Sequence, residues 1–117
     1  MPPRESLMYA PRLPVACCLV IAALLGMGGS GVAHASAELA KKKYCMNCHG
    51  LGGTIVGPGF RNIARQRGAE SDAVAVMAER IRQGSVGVWG SKPMPANAVT
   101  PQEAETLARW ILSLAQP

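Results

Sequence analysis

A small all-α domain carried behind a removable leader is what this sequence predicts, on three observations. Apolar residues recur at steps of three and four in separate stretches bounded by helix-starting and helix-stopping residues, and no run alternates as a half-buried strand does. The chain has 117 residues, room for one domain. Past the leader, only Tyr44, Phe60, Trp89 and Trp110 supply aromatic bulk, so a core of this size needs a staple or an apolar cofactor to complete it.

The leader comes first. Residues 1–14 are polar and carry Arg4 and Arg12, residues 15–27 form an apolar run, and small residues then lead to Ala33-His34-Ala35. This is the pattern of a secretory signal, with cleavage expected after Ala35. The apolar run falls short of the roughly 20 residues a spanning helix needs, so no permanent membrane anchor is expected. Residues 36–117 then form the domain, in an exported compartment where disulfides are permitted.

Alanine, lysine and leucine from about Ser36 to Met46 favour a first helix, with Ala40, Tyr44 and Cys48 on one face at steps of four. The glycine-dense stretch GLGGTIVGPG over residues 50–59 reads as a loop, and a short helix from about Phe60 to Arg67 ends at Gly68. Ser71 is the expected cap of the next helix, in which Val74, Met77, Ala78 and Ile81 share a face and which Gly84 closes. Residues 84–99 turn loop-like again. The last helix carries the clearest signature, with Thr100 as N-cap, Pro101 at the first position and Glu103 completing a capping box. Ala104, Leu107, Ala108, Ile111 and Leu112 form its apolar face, and Gln102, Glu105, Arg109 and Ser113 face water.

The chemistry concentrates in Cys45-Met46-Asn47-Cys48-His49. Positions i, i+3 and i+4 at a helix end bring both thiols and the imidazole to one side. C-x-x-C-H is the attachment pattern of a c-type haem, in which two cysteine sulfurs bond the porphyrin and the histidine becomes an axial iron ligand. Three plainer readings compete. Zinc needs four ligands, and this part of the chain offers three cysteine or histidine side chains. A thioredoxin-like dithiol wants a βαβ setting, and a structural disulfide leaves His49 without a role. A haem also supplies the apolar bulk that the side chains lack.

Met94 lies between Pro93 and Pro95, which keep it out of any helix and restrict its backbone. Met46 sits inside the attachment motif and Met77 is in phase with a helix core, so Met94 is the candidate for the sixth iron position. The alternative is an apolar plug in a turn. With histidine and methionine both bound, the iron has no open site for oxygen or peroxide, and a thioether favours the ferrous state.

The sequence resembles class I cytochromes c, in particular the small monohaem bacterial periplasmic type, over essentially all of residues 36–117. CMNCHG, VGPGF, RIRQGSVGVWG, PMPAN and TPQEAETLARWIL carry the likeness. The resemblance implies a cytochrome c fold, three to four helices packed around one covalently attached haem c. It implies thioethers from Cys45 and Cys48, and axial ligands His49 and Met94. It further implies that the Pro58 carbonyl accepts the free ring N–H of His49, that Arg80 and Trp89 donate to a haem propionate, and that Asn97 hydrogen-bonds near the Met94 sulfur and steadies its loop. The sequence departs from the common pattern at Ala96, where relatives often carry a second proline, and in its arginine-rich residues 61–70.

The resemblance implies a soluble, monomeric periplasmic carrier of single electrons and no enzymatic turnover. Its donor would be of the cytochrome bc1 kind and its acceptor a nitrite reductase or a terminal oxidase. The alternative is a peroxidase-like or gas-binding haem protein, or a haem subunit of a larger dehydrogenase. The formal net charge of +5 is compatible with an acidic redox partner. Lys41, Lys42, Lys43, Arg61, Arg65, Arg67 and Lys92 are the cations expected around an exposed haem edge. An exported chain without interleaved basic and aromatic residues is not expected to bind nucleic acid.

Overall fold

The computed structural model describes residues 30–115, and among these no strand forms. Helix α1 spans Ser30–Lys42, a 3-10 turn covers Cys45–Asn47, α2 spans Phe60–Arg67, α3 Ala73–Gln83 and α4 Pro101–Ser113. The expected leader lies outside the described residues except for its last positions, which are helical here. Helix α1 runs through position 35, so cleavage there would leave its second half, with buried Ser36 and Ala40, on the domain. None of the described helices is long and apolar enough to cross a membrane.

The first helix ends earlier than its composition predicts. Tyr44 adopts a left-handed conformation with φ of 61°, which stops the α-helical path after Lys42 and starts a tighter turn at Cys45. Tyr44 is consequently exposed and does not share a face with Ala40 and Cys48. Helix α2 keeps the expected limits, closing with a bond from Gly68 N–H to the Ala64 carbonyl.

The cap of α3 differs from expectation. Asp72, not Ser71, occupies the N-cap, and neither side chain caps the helix. A backbone turn does that work, because Ala73 N–H donates to the Glu70 carbonyl at 3.2 Å and leaves one orphan donor fewer. Gly84 ends α3 with φ of 81°, a conformation that glycine adopts without a Cβ penalty.

Helix α4 begins with a complete capping box. Glu103 N–H donates to Thr100 Oγ1 at 3.1 Å, and Thr100 N–H donates to Glu103 Oε2 at 2.9 Å. The helix packs on both α2 and α3. Ala104, Leu107, Ala108 and Ile111 are buried, Leu112 half-buried, and Trp110 joins the buried face because its ring meets the edge of Phe60. Phe60 and Trp110 ring centroids lie 5.4 Å apart at 70°, an edge-to-face pair. Ala40, Ile63, Met77 and Ile81 complete the shared core.

Candidate functional site

The Cys45 turn is built from its own backbone. Cys48 and His49 N–H both donate to the Cys45 carbonyl, at 3.2 and 3.0 Å, which winds five residues into one helical turn. Cys45, Cys48 and His49 consequently all line one cavity of about 320 Å³. Both thiols are free of a disulfide. Burial pushes the Cys45 thiol above its ordinary value, which disfavours the low-pKa thiolate that dithiol exchange needs. Among the described residues, no group of three or more His, Cys, Asp or Glu side chains is arranged to hold a metal ion.

The following loop folds back to orient the histidine. Val56 and Gly57 N–H both donate to the Cys48 carbonyl, at 3.1 and 2.8 Å, and bring the Pro58 carbonyl to the edge of the imidazole. His49 Nδ1 lies 2.8 Å from the Pro58 carbonyl oxygen. A carbonyl only accepts, so Nδ1 carries the proton and Nε2 keeps the lone pair that a metal ligand requires. The ring stacks on Phe60 at 5.1 Å and 16°. Gly57 has to lack a side chain: a Cβ there would sit 2.6 Å from His49 Cε1.

Met94 is held by ties from elsewhere in the chain. Ser85 and Met94 exchange two backbone bonds, Ser85 N–H to the Met94 carbonyl at 3.0 Å and Met94 N–H to the Ser85 carbonyl at 2.8 Å. Gly84 lies directly beneath, where a Cβ would come within 2.5 Å of the Met94 carbonyl. The Asn97 amide donates to the carbonyls of Ile81 at 3.0 Å and Pro95 at 3.2 Å, which ties the loop to the end of α3. In this geometry the Asn97 amide is engaged by backbone oxygens. The half-buried Met94 side chain faces the same cavity as His49.

Pro58, Arg80 and Trp89 also line this cavity, as do Arg67 and Lys92. The side chains of Arg80 and Lys92 make no hydrogen bond or ion pair with the described residues, which leaves both cations available to an anionic group. Three of the other expected cations are already ion-paired. Lys41 pairs with Glu38, Lys43 with Glu103 and Arg67 with Glu70, at 2.8, 2.9 and 2.8 Å.

The residues present fit a haem c. They bring two free thiols, a histidine with its Nε2 available, a thioether, an apolar wall and unpaired cations to one cavity. Sequence reasoning missed Gly57, Gly84, Ser85 and the Phe60 platform. Gly57 and Phe60 were within reach of the motif VGPGF, and the roles of Gly84 and Ser85 show only once the loop that carries Met94 has closed.

Comparison with known proteins agrees. The family model for cytochrome c matches residues 33–115. The chain is 46% identical over 88 residues to cytochrome c-552 of Hydrogenobacter thermophilus, covering 75% of this chain and 90% of that one. It is 49% identical over 77 residues to cytochrome c-551 of Pseudomonas denitrificans, covering 66% and 94%. The crystal structure of wild-type Nitrosomonas europaea cytochrome c552 superposes with a TM-score of 0.65 at 44% identity, covering 67% of this chain and 98% of that one.

Proposed function

The chain belongs to the cytochrome c family as one of its small class I monohaem members, and we propose that it is a periplasmic single-electron carrier with His49 and Met94 as axial ligands. It is an electron-transfer protein and not an enzyme. A covalently attached haem c supplies the iron that alternates between ferrous and ferric states. Cys45 and Cys48 anchor the group from one helical turn. Pro58 fixes the His49 tautomer and raises the basicity of Nε2, and Phe60 holds the ring plane.

The observation that carries the proposal is the joint presence of a tautomer-locked His49 and a backbone-pinned Met94 in one cavity with both attachment thiols. His49 and Met94, each held in place by the fold, would hold the haem iron on both sides and leave it to supply one-electron chemistry. Arg80 and Trp89, which line the cavity, would donate to a haem propionate. The partners are redox proteins, a donor such as a cytochrome bc1 complex and an acceptor such as a nitrite reductase or terminal oxidase. The leader ending at Ala35 directs export, and the mature chain works as a soluble monomer.

The test is the optical spectrum of the mature haem-loaded protein in both oxidation states, with carbon monoxide added to the reduced form. A methionine-to-iron charge-transfer band in the oxidised protein and no response to carbon monoxide support the carrier. Ready carbon monoxide binding or a high-spin iron would reject Met94 as a stable ligand and favour a gas-binding or peroxidase-like protein.

A further inference from the structure

Lys43 lies two residues ahead of Cys45 on the attachment side, yet its side chain ends on the methionine side. Its ammonium donates to the Ala98 carbonyl, 55 residues away, at 2.9 Å, and pairs with Glu103 Oε2 at 2.9 Å. The same carboxylate oxygen accepts Thr100 N–H in the α4 capping box. One ammonium therefore joins the turn that precedes the attachment motif to the segment that follows Met94 and to the helix that ends that segment.

The setting sets this pair apart from the other lysine bridge nearby. The Lys43 and Glu103 side chains are 23% and 30% exposed, against 62% and 53% for Lys41 and Glu38, so solvent screens the Lys43 pair less. The Thr100 N–H first, and then Lys43, holds the Glu103 carboxyl below its ordinary value. Within the loop only Met94 and Val99 pack against the core. Pro95, Ala96 and Ala98 are exposed, and the bonds through Ser85 and Asn97 run to the end of α3.

We infer that Lys43 is a positioning residue for Met94, which clamps residues 94–99 against the attachment side and so keeps the thioether from leaving the cavity. The inference rests on the reading of Met94 as an iron ligand. Lys43 touches neither the haem nor the sulfur in this role. It acts by fixing the backbone at Ala98, four residues along from the ligand, where Pro95 limits the ways the intervening chain can move.

Titrating the oxidised haem-loaded protein with imidazole, which has to displace Met94 in order to bind, tests this. Lys43→Met keeps the stem and removes the ammonium, and it is expected to tighten imidazole binding about tenfold, the effect of losing one charged hydrogen bond from the ligated state. Lys43→Arg should restore most of the resistance, and Lys42→Met should match the unaltered protein. If Lys43→Met lowers the urea midpoint while imidazole affinity stays unchanged, Lys43 is structural only and the inference is overturned. Should that variant fail to fold, Glu103→Gln keeps an acceptor for Thr100 N–H, drops the charge and carries the same expectation for imidazole. An unaltered protein that already binds imidazole and carbon monoxide freely fails at the Met94 reading, a result distinct from the failure of Lys43.

Discussion

The two flanks of the cavity are held in place by different means. On the His49 flank, the carbonyls of Cys45, Cys48 and Pro58 and the N–H groups of Cys48, His49, Val56 and Gly57 complete the arrangement within fifteen residues, and the imidazole is buried. On the Met94 flank, the loop is largely exposed and is pinned from the end of α3, from Lys43 and from the capping box of α4. A side chain fixed by its neighbours in sequence resists local opening. A side chain presented by an exposed loop and tied from three directions is where opening should begin.

The largest expected effect lies on the His49 flank. Phe60 is both the platform under His49 and the edge partner of Trp110, so Phe60→Ala should destabilise the protein by about 3–5 kcal/mol. Urea unfolding of the haem-loaded protein measures it. A loss below about 1 kcal/mol would show that the histidine flank does not depend on this stack, and the contrast between flanks would weaken.

Gly84→Ala tests the other flank. The added methyl meets the Met94 carbonyl in a backbone conformation that alanine disfavours, with an expected cost of about 1–3 kcal/mol. The sharper expectation concerns where that cost appears. Amide hydrogen exchange at Met94 and Asn97 should accelerate well before exchange at Cys48 and His49. Uniform acceleration across both flanks would mean that they open as one unit.

Acid should loosen the clamp too. The folded carboxyls of Glu103 and Glu38 lie below the ordinary 4.5, Glu103 through Thr100 and Lys43, Glu38 through Lys41. A depressed folded value means that the stabilisation is complete above the unfolded value and is lost as pH falls through the folded one. Thermal melts should therefore fall as pH drops from about 5 towards 3, and Glu103→Gln should flatten part of that slope. Identical slopes with and without Glu103 would remove it from the acid response.

The smallest effect is a gain. Tyr44 pays for a left-handed backbone with no buried contact in return, so Tyr44→Gly should stabilise by about 0.5–1 kcal/mol, the relief of the Cβ penalty less the added freedom of the unfolded chain. The melting temperature checks this, and imidazole binding should stay unchanged, since the tie at Lys43 is untouched. Coupled change in both would show that the turn at Tyr44 sets the position of the clamp.

The sequence by itself determined what short-range chemistry determines. The capping box at Thr100 and Glu103, the end of α2 at Gly68, the stop at Gly84, and the spacing of Cys45, Cys48 and His49 are all settled by residues within a few positions of one another. Their hydrogen bonds and backbone preferences operate over that distance, so pattern was enough to read them. Tertiary structure alone decided that Tyr44 leaves the helix, that a backbone turn replaces Ser71 at the start of α3, and that Trp110 turns inward to Phe60. It alone brought Ser85 to Met94 and Lys43 to Ala98 and Glu103. The Trp110 and Lys43 contacts join segments far apart in the chain and the Ser85 contact closes the loop that leads to Met94, so their energy exists only once the helices have packed and the loops between them have closed.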